Sequence, residues 1–288
     1  MQFAVGVPNV REYGDPHVLM ELGRHAEAAG WGGFFIWDHL VYREPGDPVC
    51  DPWVALTAVA TTTTRMRLGI MVCALARRRP WMVARTAAAI DVLSDGRLVF
   101  GAGLGSLGEG EFTAFGEEGD DRARADRLDE GLEIVTGLWS GEPFSFHGRH
   151  YRVDETAFRP VPAQRSLPVW IAGRWPSRRP FRRAARWNGL FATHHEVALG
   201  QTMTPGQLDE IVRYTLDHRV NEGSFDVVME GTTDGPGPAE AARVSAYADV
   251  GLTWWVEQLN WARGSLDATR ARIDLGPPGA IVPRENDG

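Results

Sequence analysis

The chain has 288 residues, of which 43% are hydrophobic and 24% are charged, and its formal net charge is −8 at pH 7. The length suits one large α/β barrel of roughly 250 residues or two ordinary domains, and the negative charge argues against general affinity for nucleic acid or anionic lipid. All 30 basic residues are arginine. Because Schiff-base aldolases, pyridoxal-phosphate enzymes and P-loop nucleotidases need a lysine amine, these classes are excluded.

The first residues form a strand-like segment rather than a signal peptide, and no apolar stretch is long enough to span a bilayer. We therefore expect a cytoplasmic protein with no membrane contact. Cys50 and Cys73 are the only cysteines and lie in different predicted elements. Neither a structural disulfide nor a cysteine metal site is expected from them.

Eight short apolar runs predict β-strands, with helical segments between them. The runs cover residues 3–7, 33–37, 68–72, 98–102, 169–172, 189–192, 227–229 and 253–256. Asp15-Pro16 and Asp51-Pro52 each combine an N-cap side chain with proline at the first helical position. Because strand and helix alternate eight times, the sequence predicts an α/β fold, a closed (β/α)8 TIM barrel in which chemistry takes place where the strands end.

The longest interval lies between the fourth and fifth runs and predicts an insertion over about 104–167, above the barrel mouth. It contains a glycine-rich loop, a charged helix over about 121–139 and a hairpin around His147-Gly148. No linker or repeat divides the chain. We therefore expect one domain over 1–288, with a loosely packed tail over about 276–288.

The residues that end the strands are the candidate site residues. His39 can give or take a proton near neutral pH, with Asp38 beside it, although Asp38 capping a loop and His39 packing is an equal alternative. The full set comprises Asn9, Asp38, His39, Cys73, Gly103, Leu104, Gly105, Ser106, Gly173, Arg174, His194, His195, Glu230 and Glu257.

The glycine-rich loop after the fourth strand contains one G-x-G-x-x-G match, at Gly103, Gly105 and Gly108. A dinucleotide fold requires a helix at once, whereas Glu109 and Glu111 follow here and would repel a pyrophosphate. The glycines instead favour close approach of the backbone to a flat ligand.

An arginine cluster follows the fifth strand. Arg174 comes first and could bind a phosphate through its guanidinium group. The later arginines, at positions 179, 182, 183 and 186, favour a solvated helix face. His194 and His195 lack the spacing of metal ligands, so no metal is expected. A metal-dependent barrel hydrolase stays as an alternative, with Asp38, His39, His194 and Glu257 as its residues.

An ordered set of short motifs runs through nearly the whole chain. It comprises Ala26-Glu27-Ala28-Ala29-Gly30, Trp37-Asp38-His39, Asp51-Pro52-Trp53, Arg78-Arg79-Pro80-Trp81, Leu93-Ser94-Asp95-Gly96-Arg97, Gly101-Ala102-Gly103-Leu104-Gly105, Leu138-Trp139-Ser140-Gly141, His147-Gly148-Arg149-His150-Tyr151 and Pro168-Val169-Trp170-Ile171-Ala172-Gly173. Each motif is loose, but the ordered set resembles the bacterial-luciferase-like oxidoreductases, which use FMN or the deazaflavin coenzyme F420.

The resemblance implies a cofactor ring in the barrel mouth, with His39 and Asp38 beside it as the catalytic residues and His39 as the proton donor or acceptor. Met71-Val72 aligns with a non-proline cis peptide that supports the ring in relatives. Cofactor contacts are implied for Met71, Val72, Gly103, Leu104, Gly105 and Ser106 around the ring, and for Gly173 and Arg174 near the phosphate. Deazaflavin relatives that oxidise sugar phosphates carry a catalytic glutamate where this chain has Ser106, so that reaction is doubtful.

Two activities follow from the resemblance. The first is monooxygenation of a small organic substrate with reduced FMN and O2, for which a separate flavin reductase would be a partner. The alternative is F420-dependent hydride transfer, and a non-catalytic flavin-binding protein is a further one. In each case the cofactor supplies the redox chemistry while the barrel binds and shields it. We also expect a homodimer.

Overall fold

The computed structural model describes residues 1–44, 46–106, 108 and 110–279. Its strands, in chain order, are β1 (Gln2–Val7), β2 (Gly33–Ile36), β3 (Arg67–Ala74), β4 (Leu98–Gly103), β5 (Phe144–His147), β6 (Arg152–Thr156), β7 (Val169–Trp175), β8 (Gly189–His194), β9 (Asp226–Gly231) and β10 (Trp254–Gln258). Eight of them close into a barrel in the order β1-β2-β3-β4-β7-β8-β9-β10, and every pair in it is parallel. The predicted (β/α)8 barrel is confirmed.

The helices pack around the outside of the barrel. They are α1 (Pro16–Ala28), α2 (Pro52–Thr62), α3 (Pro80–Leu93), α4 (Asp121–Trp139), α5 (Arg178–Ala184), α6 (Pro205–Leu216), α7 (Pro238–Ala248) and α8 (Leu266–Asp274). The predicted caps are present, since Asp15 accepts a hydrogen bond from the His17 amide and Asp51 accepts one from the Trp53 amide. In the described ranges, no helix combines the length and apolar character needed to cross a membrane.

Large aromatic side chains fill the barrel interior. Phe35 from β2, Trp170 from β7 and Trp254 from β10 lie with ring centroids 5.5–6.1 Å apart. All three are buried. The interior is therefore packed rather than open, as in other barrels of this type. A ligand can be held only above this layer, at the ends of the strands.

The segment between β4 and β7 carries α4 and the antiparallel pair β5–β6. Glu130 of α4 accepts hydrogen bonds from the backbone amides of Arg149, His150 and Tyr151, at 2.8–2.9 Å. These bonds fix the tip of the predicted hairpin against the helix. The hairpin and α4 thus form one connected part of the insertion.

The predicted loose tail differs from the structure where the structure describes it. Residues 276–278 are buried, and the carbonyl of Gly276 accepts a hydrogen bond from Arg272 at 2.8 Å. A buried arginine at the end of α8 therefore holds the start of the tail. Residues 280–288 of the predicted tail lie outside the described residues.

Candidate active site

A cavity of about 630 Å3 opens at the ends of the barrel strands, within the range of roughly 300–1,000 Å3 typical of ligand sites. It brings together most of the predicted site residues from β2, β3, β4 and β7. These are Asp38, His39, Met71, Val72, Leu104, Gly105, Ser106, Gly173 and Arg174. Of the cofactor contacts that the resemblance implies, Gly103 does not line the cavity. Of the other strand-end candidates, Glu230 lines it, and the remaining five do not: Asn9, Cys73, His194, His195 and Glu257.

Gly103 instead makes room for the floor of the cavity. The peptide between Met71 and Val72 is cis, and the β3–β4 register shifts between Ile70 and Cys73. A Cβ at Gly103 would lie 2.6 Å from a methyl carbon of Val72. Glycine is therefore needed at this position so that β4 can pack against the irregular part of β3.

Gly105 forms the adjoining wall in a backbone conformation that favours glycine. Its φ is +76°, and a Cβ there would lie 2.7 Å from the Cβ of Ala74. Leu104 and Ser106 flank it in the cavity lining. The wall is therefore largely backbone, as expected where a flat ligand approaches closely.

His39 is held by a carboxylate from the insertion. Its Nδ1 lies 3.2 Å from Oε1 of Glu111, whose side chain is only 1% exposed. Glu111 also accepts hydrogen bonds from the Leu40 amide at 2.5 Å and from Arg77 at 2.9 Å. Burial raises the pKa of Glu111, but its hydrogen bond with His39 and the charge of Arg77 outweigh burial and lower it.

An ionised Glu111 fixes the tautomer of the neutral imidazole. Because the carboxylate can only accept, Nδ1 of His39 carries the hydrogen, and Nε2 is left as an acceptor. The backbone of His39 is also fixed, since Asn9 accepts from its amide at 3.1 Å and donates to its carbonyl at 2.9 Å. The ring and the backbone of His39 are thus both held in place at the cavity.

Asp38 lines the cavity, but both of its carboxylate oxygens already accept hydrogen bonds from the protein. It accepts hydrogen bonds from Arg77 at 2.8 Å, from Arg78 at 2.7 and 3.1 Å, and from the Ala74 amide at 3.0 Å. Burial raises the pKa of Asp38, and the two arginines outweigh burial and lower it. The carboxylate is therefore ionised, and it joins the end of β2 to the segment after β3.

The far end of the cavity carries groups suited to a phosphate. Arg174 is exposed, and no carboxylate of the described residues lies within 4 Å of it; it donates to the His195 carbonyl at 3.3 Å. Ser177 makes no cap hydrogen bond with its side chain, and both residues line the cavity. A guanidinium group and a free hydroxyl are good phosphate donors.

The metal-hydrolase alternative is not supported by the arrangement. Glu257 is fully buried and pairs with Arg263 at 2.5 Å and with Arg272 at 3.4 Å. Within the described ranges, no three His, Cys, Asp or Glu side chains lie close enough to hold a metal ion. Cys73 is also buried, and burial raises the pKa of its thiol to about 12. Glu257 and Cys73 therefore serve the fold.

Glu111 is a site residue that the sequence analysis missed. It was considered only as an obstacle to a dinucleotide. Its partners, His39 and Arg77, are distant in sequence by 72 and 34 positions, and neither has a spacing relationship to Glu111 that marks contact. The one available signal was three arginines directly after the third strand, which require carboxylate partners if they are buried.

The sequence model of the luciferase-like monooxygenase family matches residues 1–195. The chain belongs to this family. An F420-dependent hydroxymycolic acid dehydrogenase of Mycobacterium tuberculosis is 28% identical over 278 residues, which cover 88% of this chain and 76% of that protein. An F420-dependent glucose-6-phosphate dehydrogenase of Nakamurella multipartita is 34% identical over 167 residues, 56% of this chain and 48% of that protein. The chain thus matches only about half the length of the latter relative.

Comparison with solved structures confirms the fold. A solved structure described as an F420-dependent secondary alcohol dehydrogenase in complex with an F420–acetone adduct superposes with a TM-score of 0.77 at 14% identity. The match covers 95% of this chain and 96% of that chain. This luciferase-like protein is an oxidoreductase. The two relatives named above are F420-dependent dehydrogenases, and a further solved structure of the same fold, at 14% identity and a TM-score of 0.66, is a Baeyer-Villiger monooxygenase of Pseudomonas putida in complex with FMN.

The residues of the cavity fit either cofactor. FMN and F420 share a flat tricyclic ring and a phosphate on a sugar-alcohol chain. The cavity offers an apolar floor at Met71 and Val72, a backbone wall at Gly105, and phosphate donors at Arg174 and Ser177. The two cofactors differ beyond the phosphate. F420 continues into a tail that carries carboxylates, whereas FMN ends at the phosphate.

Proposed function

We propose that the chain is an F420-dependent oxidoreductase that transfers hydride between the coenzyme and a small organic substrate. This is the alternative of the sequence analysis, and the FMN monooxygenase becomes the second candidate. The observation that carries the proposal is an arginine groove next to the phosphate end of the cavity. The F420-dependent relatives support it independently.

The arginine groove lies between α4 and α5 and encloses about 420 Å3. It adjoins the cavity at the first turns of both helices, because Asp121 and Pro180 line the cavity while their neighbours Arg122 and Arg179 line the groove. A ligand whose phosphate lies at Arg174 would therefore meet the groove next. A solvated helix face was expected for Arg179, Arg182, Arg183 and Arg186. Arg183 is instead buried, while the other three are exposed.

Three of the five arginines that line the arginine groove have no carboxylate partner among the described residues. Arg183 and Arg186 pair with Asp129 at 2.7 and 2.8 Å. No carboxylate among the described residues lies within 4 Å of the other three arginines of the groove, Arg122, Arg179 and Arg182. The exposed carboxylates of an F420 tail would neutralise them, whereas FMN leaves them unmatched.

Bound F420 supplies a ring carbon that accepts or donates hydride. The protein residues handle the remaining proton. In the oxidation of an alcohol, where the coenzyme would take the hydride, Nε2 of His39 would take the O–H proton. Glu111 holds Nδ1 of His39 and stabilises the charge that forms on the imidazole. Asp38 positions the wall through Arg77 and Arg78.

Fluorescence titration with F420 and with FMN tests the proposal. We expect F420 to bind at least about tenfold more tightly than FMN, since several charge-assisted contacts each contribute about 1.5–3 kcal/mol before exposure weakens them. Reduction of bound F420 by alcohols is the matching activity readout. Preferred binding of reduced FMN, with substrate-dependent O2 consumption, would overturn the proposal and establish the second candidate.

We also propose a homodimer that buries an apolar face of α2 and α3. Val54 on α2 is 58% exposed, and Met82 and Leu93 on α3 are 61% and 49% exposed. The helices α2 and α3 pack against each other, and exposed apolar side chains that share one surface mark interaction sites. Light scattering of wild type and of the Val54→Glu, Met82→Glu double variant checks it, with a dimer expected for the first and a monomer for the second. A flavin reductase belongs only to the FMN alternative.

A further inference from the structure

Glu230 at the end of β9 is the cavity carboxylate that lacks a cation. Asp38 and Glu111 pair with Arg77, and Asp121 pairs with Arg124. No arginine or histidine nitrogen of the described residues lies within 4 Å of Glu230. Its environment therefore differs in kind from that of the other carboxylates of the cavity.

Two neutral donors hold the carboxyl group of Glu230. Trp37 Nε1 donates to Oε1 at 3.3 Å, and Gln258 Nε2 donates to Oε2 at 2.7 Å. The orientation of the Gln258 amide is set, because its Oε1 accepts from the Gly200 amide at 2.6 Å. Each oxygen of Glu230 thus has one fixed donor from the protein.

Burial without a cation favours the uncharged acid, and burial does raise the pKa of Glu230, against the two hydrogen bonds that lower it. In the uncharged form the O–H cannot point at Trp37 or Gln258, since both already donate. Glu230 lines the cavity. The O–H is therefore available to an acceptor there.

Glu230 also lines a second hollow, the side chamber, of about 320 Å3 beneath the segment between β8 and α6. The side chamber shares Arg174, Thr193 and Glu230 with the main cavity. Its other walls include Val197, Leu199 and Met203. It has room for an apolar group. Its one arginine among the described residues is Arg174, at the edge shared with the cofactor cavity, and the proposed function assigns it to the cofactor phosphate. His194 also lines the side chamber, but its Nδ1 accepts a hydrogen bond from the Glu196 amide at 3.2 Å and so carries no hydrogen.

We propose that the side chamber is the substrate site, and that Glu230 donates a hydrogen bond to the carbonyl or hydroxyl oxygen of an uncharged, largely apolar substrate. This inference rests on the proposed function for the reaction, but the assignment of the uncharged acid does not. Carboxylated and phosphorylated substrates are disfavoured in the side chamber, because its arginine is assigned to the cofactor phosphate and Nδ1 of His194 already accepts a hydrogen bond.

The protonation of Glu230 is tested by infrared spectroscopy of the protein without substrate. The difference spectrum between wild type and Glu230→Gln at neutral pH should contain the carbonyl band of one protonated carboxyl. The matched control is Glu196→Gln, which removes an exposed carboxylate outside both hollows and should remove only the bands of an ionised carboxylate. The same ionised bands for Glu230→Gln would overturn the inference.

The substrate class is tested with cyclohexanol, cyclohexanone and cyclohexanecarboxylate, measured by calorimetry on the F420-loaded protein. We expect the two neutral probes to bind at least about tenfold more tightly than the carboxylate. Glu230→Leu should weaken the neutral probes about tenfold, while Glu230→Gln, which keeps a donor, stays within about threefold of wild type. Tighter binding of the carboxylate, or equal binding to the Leu variant, would overturn the inference.

The experiments distinguish failure of the proposed function from failure of the Glu230 assignment. If the wild-type protein does not bind F420, the proposed function is refuted, but the infrared evidence on Glu230 is unaffected. Normal F420 binding with a charged Glu230 refutes only the substrate assignment. Thermal unfolding of Glu230→Leu shows whether that variant is folded, and Glu230→Gln provides the isosteric comparison if it is not.

Discussion

Glu111 Oε1 lies 3.2 Å from Nδ1 of His39, so a residue of the segment after β4 orients a residue at the end of β2. The same carboxylate binds Arg77 after β3. Three barrel strands are therefore tied together on one side of the cavity. This network gives the imidazole one tautomer and one orientation before any ligand arrives, which is a condition for efficient general base catalysis.

Substitution of His39 should slow catalysis and leave cofactor binding nearly unchanged. We expect His39→Ala to lower kcat by about 10²–10⁴-fold, the usual contribution of general acid–base catalysis, with the F420 dissociation constant changed less than about threefold. His147→Ala, on the exposed hairpin strand β5, is the matched control and should match wild type in both. Stopped-flow reduction of F420 measures the rate, and an unchanged kcat would exclude His39 from the mechanism.

Glu111 acts through His39, which a double-mutant cycle can show. Glu111→Gln should lower kcat about tenfold while F420 affinity is retained. In the His39→Ala background the same change should have almost no effect on kcat, because the side chain that Glu111 orients is gone. Additive losses of kcat would instead assign Glu111 a separate structural role.

Asp38 should contribute to stability in a pH-dependent way. Removal of one partner from a buried ion pair costs about 3–5 kcal/mol, so Asp38→Asn should lower the free energy of unfolding by about that amount at pH 7. The pKa of Asp38 is lower folded than unfolded. Its contribution is therefore present above the ordinary value of 3.8 and is lost as the pH falls through the lower folded value.

Urea unfolding of wild type and Asp38→Asn at pH 7 and at pH 3 measures this contribution. The difference between the two proteins should shrink at the lower pH. Asp209→Asn is the comparison, because Asp209 pairs at 2.8 Å with Arg213, whose side chain is 76% exposed. A surface pair contributes at most about 1 kcal/mol. A constant difference for Asp38 across pH would contradict the argument.

The fold was predictable because its signals are local. Proline after an N-cap residue opens α1 and α2 where Asp15 and Asp51 indicate, and the apolar runs coincide with the barrel strands. The cavity position followed from the barrel alone, since strand ends meet at one rim. Local pattern and tertiary structure agree at these positions.

The inner arrangement of the site was not predictable in the same way. Asp38 was expected to act in catalysis, a role that stays a prediction, while its contacts with Arg77 and Arg78 follow from how the segment after β3 folds over the rim. Glu111 and Glu230 have opposite electrostatic environments, yet both follow or end a strand in sequence. What separates them is the presence of an arginine within 4 Å, which depends on packing and not on spacing.

Gly105 should not tolerate a side chain. At φ +76° an alanine costs about 1–2 kcal/mol, and its Cβ would lie 2.7 Å from Ala74. We expect Gly105→Ala to lower the melting temperature and to weaken F420 binding by displacing the cavity wall. Gly206→Ala in α6, where no atom lies within 4 Å of the added Cβ, should be neutral or slightly stabilising. Equal effects of the two substitutions on F420 affinity would contradict the assignment of this wall to the cofactor.

The arginine groove should respond to the length of the cofactor tail. Arg122→Ala with Arg179→Ala removes two guanidinium groups that have no carboxylate partner in the described part of the chain. We expect F420 with several glutamates to lose about tenfold in affinity, F420 truncated at the phosphate to lose less than about twofold, and FMN to be unaffected. High salt should reduce the first effect, because exposed charges are screened. Arg174→Ala, at the phosphate itself, should instead weaken all three ligands alike. An equal loss for all ligands in the groove variant would place the tail elsewhere on the surface.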